Sequence, residues 1–168
     1  EGLLRQAGYD LLLYNLAGDP EARARVFSGH LLRKRVDAVL VLSLTPNEQE
    51  VASLAGLGLP VAIVGGGVDG WSSVRVDDVE TAGIAVRHLV ELGHRRIAYV
   101  GGGLEQQLDF SAPRDRLLGY RRAMRAAGLT VDPDWEVPSD FTASGGVRAA
   151  HGLLALDLHG TACGLYGF

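Results

Sequence analysis

Two side chains near the ends of predicted strands have the chemistry to contact a small polar ligand. Arg116 carries a planar guanidinium with five N–H donors, a shape that matches hydroxyl pairs, carboxylates and phosphates. Phe141 follows Asp140 after a predicted strand, and an aromatic ring at such a position can stack on a sugar or a base. Simpler roles stay open, because Arg116 also suits a solvated helix terminus and Phe141 a core position beneath the next helix.

The sequence carries no pattern typical of an enzyme or a metal site. It has no GxSxG, no P-loop and no metal-spaced carboxylate cluster, and its five histidines show neither HxxxH nor HExxH spacing. The single cysteine, Cys163, excludes an internal disulfide. Residues 65–70 formally match GxGxxG, but Trp71 and another strand follow where a dinucleotide fingerprint requires a helix. We therefore expect no enzyme, no metal and no cofactor.

The composition is that of a globular α/β protein. Apolar residues make up 47% of the 168 residues and charged residues 21%, with a formal net charge of −4. A negative net charge does not indicate the positively charged surface that would hold DNA. No apolar run reaches about 18 residues, which argues against a membrane span. The opening residues lack the basic and apolar regions of a signal peptide, so we expect a cytoplasmic protein.

Short apolar strands alternate with amphipathic helices along the chain, which predicts a doubly wound α/β fold with parallel sheets. The helices begin at capping patterns and end near glycines. The predicted strands are Tyr9–Tyr14, Asp37–Leu42, Val61–Val64, Ser73–Val76, Ile97–Val100 and Ala162–Phe168. The predicted helices run from Asp19-Pro20 to about Arg35, from a Thr45-Pro46-Asn47-Glu48 capping box to Gly58, over Asp78–Leu92 and Asp115–Ala127, and from Thr142 to about Leu156.

Several motifs, in order and at the right spacing, resemble the lactose-repressor (LacI/GalR) family. The most specific is LGHRRIAYVGG over residues 92–102. Just before it, Val76-Asp77-Asp78 is similar to the family's VDN entry into a helix, and residues 116–120 (RLLGY) resemble its RxxGY start. Residues 140–145 are similar to its GDF…SG segment, and the opening GLLRQAGYDLLLYN to its first helix and second strand. The resemblance covers residues 2–156.

The resemblance implies a periplasmic-binding-protein-like core of two lobes. Residues 1–100 would form a nearly complete N-terminal lobe that lacks its first strand, and residues 101–168 the start of the C-terminal lobe. A helix-turn-helix headpiece precedes the core in the family, and the present sequence does not include one. The glycine run at 65–70 departs from the family pattern, which puts ligand contacts from that loop in doubt.

The same resemblance implies a set of effector-binding residues. Arg116 and Phe141 match positions that contact the effector in the family, and Phe110 and Ser111 match positions that approach it in some members. Glu80 lies where the family often has a polar residue facing the cleft. A structural role for Glu80 stays open, because the helix dipole stabilises any carboxylate in a first turn. We assign Asp77 to helix capping.

The function implied by the resemblance is ligand-controlled transcription. A small effector (a sugar, a sugar phosphate or a nucleobase) would bind between the lobes and change the grip of a homodimer on operator DNA through the missing headpiece. No membrane partner is expected. The alternative is a periplasmic sugar-binding protein of a transport system, which shares the fold. A secretion signal upstream would favour that alternative, and a basic helix-turn-helix upstream would exclude it.

Overall fold

The chain folds into two compact units, residues 1–74 and 75–168. The computed structural model describes residues 2–16, 19–28, 35–102, 111–140, 142–156 and 162–165. This division lies earlier than the predicted lobe boundary at residue 100. It places the helix of residues 78–91 and the strand that follows in the second unit. The assignment of residues 1–100 and 101–168 to two lobes stays a prediction.

The first unit is built on a parallel sheet whose strands lie in the order β1-β2-β3. Its core packs on one face of that sheet, where Val41 and Ile63 meet Phe27 and Leu54 from two helices. On the other face Leu40 and Leu42 are more than half exposed. The elements are α1 (Gly2–Gln6), α2 (Pro20–Phe27), β1 (Val39–Leu42), α3 (Glu48–Ala55), β2 (Val61–Val64) and β3 (Ser72–Val74).

The predicted strand at Tyr9–Tyr14 is wrong. These residues form neither helix nor strand, and Leu11, Leu12 and Leu13 are each more than half exposed. An apolar run marks a segment that can be buried, but a strand also needs backbone partners, and the described ladders provide none here. Tyr14 and Leu16 still pack against the core of the first unit.

The helix predicted from Thr45 begins two residues later than expected. Asn47 is its N-cap, and the capping box joins Asn47 to Glu50 rather than Thr45 to Glu48. Both quartets fit the capping pattern, and the amide of Asn47 satisfies the N–H of Glu50. Pro46 therefore precedes the helix. The cap predicted at Asp19 is confirmed, since its carboxylate accepts the N–H of Ala22 at 2.8 Å.

The second unit is a parallel sheet with helices on both faces, as the fold class predicted. The central strand, β4, is buried through Gly101 and lies between β5 and β6. Ile97 and Tyr99 face α4 and α5, while Ala98 and Val100 face α6. The elements are α4 (Asp78–Glu91), β4 (Ile97–Gly102), α5 (Ala112–Ala126), a 3-10 turn (Pro133–Trp135), β5 (Glu136–Ser139), α6 (Ala143–Ala155) and β6 (Ala162–Leu165).

The helix boundaries in this unit lie within three residues of expectation. Gly93 and Gly128 follow α4 and α5 with φ of 92° and 70°, a conformation that glycine adopts without strain. The side chain of Thr142 caps α6, as predicted, by accepting the N–H of Gly145 at 3.0 Å. Helix α5 begins three residues before the predicted Asp115, because Pro113 suits the first helical turn.

Candidate functional site

The carboxyl edge of the second sheet is where its helices begin. Strands β4 and β5 end at Gly102 and Ser139, and α5 and α6 start at Ala112 and Ala143. In parallel α/β sheets, ligands bind at this edge, where strands end and helix N-termini offer unpaired N–H groups. This topology places the N-terminal end of α5, with Arg116, at the usual ligand position.

An ion pair between Arg116 and Asp78 joins the N-terminal ends of α5 and α4. The Nε of Arg116 donates to Oδ1 of Asp78 at 2.6 Å, and the two side chains are 20% and 17% exposed. A charge-assisted bond in such a shielded place is stronger than a surface pair. The arginine supplies donors and the carboxylate acceptors, so the pair can bind a ligand that carries hydroxyl or amide groups.

Asp78 is a residue that the sequence reasoning missed. The neighbouring Asp77 caps α4 by accepting the N–H of Glu80 at 2.9 Å, as predicted. That leaves Asp78 free of a capping role, and its carboxylate reaches Arg116, which is 38 residues away in sequence. The pattern Val76-Asp77-Asp78 contained the signal, because a helix start needs one cap and the motif has two aspartates.

Tyr99 of β4 contacts the first turn of α5, three residues before Arg116. Its hydroxyl donates to the carbonyl of Pro113 in the first turn of α5, at 3.4 Å, and its ring centroid is 5.4 Å from that of Tyr120. Burial raises the pKa of the Tyr99 phenol, and the nearby charges of Arg116 and Asp78 oppose one another in their effect on it. The phenol therefore stays protonated, as a neutral donor.

A second polar cluster lies between β5 and α6. The carboxylate of Asp140 accepts the N–H of Thr142 at 3.2 Å, the hydroxyl of the same threonine, and Nη2 of Arg148 at 2.7 Å. The Thr142 hydroxyl is the main cause that keeps the pKa of Asp140 below its usual range, with Arg148 adding to it. An open cavity of about 420 Å³ borders this cluster, lined by Val137, Pro138, Ser139, Asp140, Gly145, Arg148 and Ala149.

Of the other predicted site residues, the structure describes Ser111 and Glu80. Ser111 is the N-cap of α5 and is half-buried, but its side chain makes no capping hydrogen bond. Glu80 binds Arg87 at 2.6 Å on an exposed face of α4, which fits a structural role. Phe110 and Phe141 lie outside the described residues. Effector binding by all five residues predicted from the sequence stays a prediction.

The glycine run at residues 65–70 joins two strands. Gly65 and Gly70 adopt φ of 82° and 83°, and β3 follows at Ser72. No helix begins there, so the loop lacks the helix N-terminus that a dinucleotide site needs. Across the part of the chain that the structure describes, no group of at least three histidine, cysteine or acidic residues is placed to hold a metal ion. In the same residues, no helix is long and apolar enough to cross a membrane.

Comparison with known proteins places this fold in a family. The sequence pattern of the periplasmic binding protein-like domain matches residues 86–163. The HTH-type transcriptional repressor PurR of Aliivibrio salmonicida is 33% identical over 160 residues, which cover 94% of this chain and 46% of the repressor. The chain thus spans about half the length of the curated relatives it matches.

Solved structures agree with these likenesses. The transcriptional regulator CelR, solved as a cellobiose complex, is 32% identical with a TM-score of 0.70, covering 90% of this chain and 46% of CelR. A regulatory protein of the LacI family from Chloroflexus aggregans is 26% identical with a TM-score of 0.71, covering 93% of this chain and 55% of that one. In sequence and fold, the chain resembles the lactose-repressor (LacI/GalR) family and matches part of the periplasmic-binding-protein-like core of these regulators.

Proposed function

We propose that this chain is part of the effector-binding core of a bacterial transcription regulator. In the proposal, a small metabolite binds at the Arg116–Asp78 pair, between the two lobes of the complete core, and alters the grip of a homodimer on operator DNA. The observation that carries it is the shielded ion pair at the carboxyl edge of a sheet whose relatives are repressors. The DNA contacts belong to a headpiece outside these residues.

The Arg116–Asp78 pair is suited to ligand-controlled switching, because each side chain can exchange its bond to the other for a bond to the ligand. A ligand hydroxyl or amide that enters the pair can accept from the guanidinium and donate to the carboxylate, which replaces a bond within the protein by bonds to the ligand. Control of DNA binding requires the ligand to prefer one arrangement of the lobes, and couplings of about 1–3 kcal/mol are typical. Hinged closure of lobes is the usual structural device.

The effector we propose first is a sugar or a sugar phosphate. CelR, one of the similar structures, is described as a cellobiose complex, which supports a sugar. The similarity to repressors named PurR keeps the nucleobase alternative open. Both classes present several donors and acceptors to a guanidinium–carboxylate pair. The regulator would act as a dimer on a palindromic operator, in the cytoplasm where the operator lies.

A thermal-shift screen of the full-length protein tests the proposal. The compounds are cellobiose, glucose 6-phosphate, guanine and hypoxanthine, each with wild type, Arg116→Ala and Asp78→Asn. A ligand at one hundred times its Kd stabilises the folded state by about 2.7 kcal/mol, so binding raises the melting temperature measurably. We expect one class of compound to raise it in wild type and in neither variant.

The matched control is Arg114→Ala. Arg114 lies in the same turn of α5 but is 73% exposed and pairs with the adjacent Asp115. This variant should keep the full ligand shift. A shift that persists in Arg116→Ala would place the ligand elsewhere. A sugar response in a protein that binds no DNA would favour the transport alternative, and turnover of any of the compounds would favour an enzyme.

A further inference from the structure

The ring of Tyr99 takes the space above Gly101 on the face of β4 that α4 and α5 cover. The two residues are two apart in a strand, so their side-chain positions share that face. A Cβ added at Gly101 would overlap the phenol oxygen and the outer ring carbons of Tyr99. Tyr99 is only 7% exposed. Its side chain therefore extends along the strand toward the carboxyl edge.

The outer end of this ring supports the first turn of α5. The Tyr99 hydroxyl meets the Pro113 carbonyl at 3.4 Å, and Arg116 follows three residues later in the same helix. On the inner side, the ring packs against that of Tyr120. The contact with Pro113 therefore joins the Tyr99 ring to the end of α5 that carries Arg116.

We propose that Tyr99 is a positioning residue for the Arg116–Asp78 pair, because its ring fills the volume above Gly101 and holds the first turn of α5 in place. The biological meaning of this inference rests on the proposed function, whereas the contacts of Tyr99 do not depend on it. Removing the ring would leave an empty volume beneath α5, and helices settle partly into such cavities. A shift of α5 by about one ångström would lengthen the 2.6 Å bond between Arg116 and Asp78 to about the limit of a hydrogen bond.

The test reads the arginine directly in the ligand-free, full-length protein. The Nε–H signal of Arg116 is assigned in a ¹⁵N NMR spectrum by its loss in Arg116→Lys. In Tyr99→Leu we expect this signal to move toward the position of a solvent-exposed arginine, with hydrogen exchange at least about tenfold faster. In Tyr99→Phe, which keeps the ring, the signal should stay close to wild type.

Two further variants separate positioning from loss of stability. Leu153→Ala makes a cavity on the opposite face of the sheet, where Leu153 packs with Ala98 and Val100. It should lower the melting temperature and leave the Arg116 signal unchanged. If Tyr99→Leu does not fold, Gly101→Ala displaces the ring without deleting it, and it should shift the Arg116 signal as well. An unchanged signal in a folded Tyr99→Leu or Gly101→Ala overturns the inference.

A binding arm then connects the inference to function. Titrations with cellobiose and guanine compare wild type, Tyr99→Phe and Tyr99→Leu. We expect Tyr99→Leu to bind whichever probe wild type binds at least about tenfold more weakly, and Tyr99→Phe to bind it nearly as well. If neither probe binds wild type, or binding does not depend on Arg116, the proposed function fails for those probes, and the NMR result still decides the role of Tyr99.

Discussion

Gly119 of α5 lies directly against the carbonyl of Val79 in α4. A Cβ at Gly119 would be 2.9 Å from the carbonyl carbon of Val79, closer still to its oxygen, and 3.0 Å from Cβ of Ala82. Gly119 follows Arg116 by one turn, and Val79 follows Asp78. The close approach of the two helices thus brings the candidate ligand-binding pair together, and only glycine permits it.

Gly119→Ala should destabilise the protein by about 1–3 kcal/mol or more, because the new methyl group meets backbone that cannot turn away. Urea unfolding of the full-length protein measures the change. The same variant should weaken any ligand response that depends on Arg116, since α5 must move away from Asp78.

Gly152→Ala is the matched control for Gly119→Ala. Gly152 lies within α6, and a Cβ there meets no atom within 4 Å. The substitution should stabilise the protein by about 0.5–1 kcal/mol, because alanine loses less backbone freedom in a helix than glycine does. Equal effects of the two variants would contradict the close packing of α4 and α5.

The largely buried Arg23–Glu50 pair should control part of the acid stability of the first unit. Two hydrogen bonds join the side chains, the Nη2–Oε2 distance is 2.6 Å, and Glu50 also accepts the N–H of Asn47. Burial alone would raise the pKa of Glu50, but the bonds from Arg23 and Asn47 outweigh it and the pKa lies below its ordinary value. The Glu50 carboxylate therefore contributes its full stability at pH values above its ordinary pKa. This contribution is lost as pH falls through the lowered pKa of the folded state.

Glu50→Gln should lower the free energy of unfolding by about 3 kcal/mol at neutral pH. The guanidinium of Arg23, whose side chain is only 15% exposed, then loses the negative charge of Glu50. Unfolding free energies measured from pH 7 down to pH 3 should fall less steeply in the variant than in wild type. The control is Glu21→Gln, which breaks an exposed pair with Arg25 at 3.8 Å and should change little. If the unfolding free energy of Glu50→Gln fell between pH 7 and pH 3 as steeply as that of wild type, this role of Glu50 would be contradicted.

Features set by neighbouring residues were predictable from the sequence. Asp19, Asp77 and Thr142 cap their helices as expected, because a cap and its N–H lie three residues apart. The same holds for Val61–Val64, a short β-branched run that forms β2. Where two local patterns compete, as at Thr45 and Asn47, the sequence does not decide between them.

Features set by distant residues were not predictable in this way. The Arg116–Asp78 bond spans 38 residues, so the role of Asp78 follows only once α4 and α5 are packed together. The strand expected at Tyr9–Tyr14 failed for a related reason, since strand formation depends on partners that the local pattern does not contain. The resemblance to a family led to Arg116, but its ion-pair partner came from the structure.

Tyr120 should limit the alkaline stability of the second unit. Its hydroxyl donates to the carbonyl of Ile97 at 2.8 Å, the residue is 2% exposed, and burial raises the pKa of its phenol to about 12. A raised pKa means that the folded state favours the protonated phenol. Its contribution is full below the ordinary value near 10 and is lost as pH rises from there through about 12.

Tyr120→Phe should lower stability by about 1 kcal/mol at pH 7 through loss of this bond. It should also flatten the fall of stability above pH 10, which unfolding in urea at several pH values detects. Tyr9→Phe is the control, because Tyr9 is 57% exposed. Removing its hydroxyl should change neither the stability at pH 7 nor the fall of stability above pH 10. If stability fell as steeply above pH 10 in Tyr120→Phe as in wild type, a group other than Tyr120 would cause the fall.

Thr142 and Arg148 should both lower the pKa of Asp140. The Thr142 hydroxyl is the largest of the influences that lower the pKa of Asp140, ahead of the opposing effect of desolvation and the smaller effects of Arg148. Thr142→Val and Arg148→Ala should therefore each raise the pKa of Asp140, as ¹³C NMR of the carboxyl group would show. Gly145→Ala should disrupt the cluster outright, because its Cβ would be 2.7 Å from Cγ of Asp140 and 2.8 Å from Oγ of Ser139. If Thr142→Val left the pKa of Asp140 unchanged, the arginine alone would account for the lowered value, and the hydrogen bonds between Asp140 and Thr142 would contribute nothing to it.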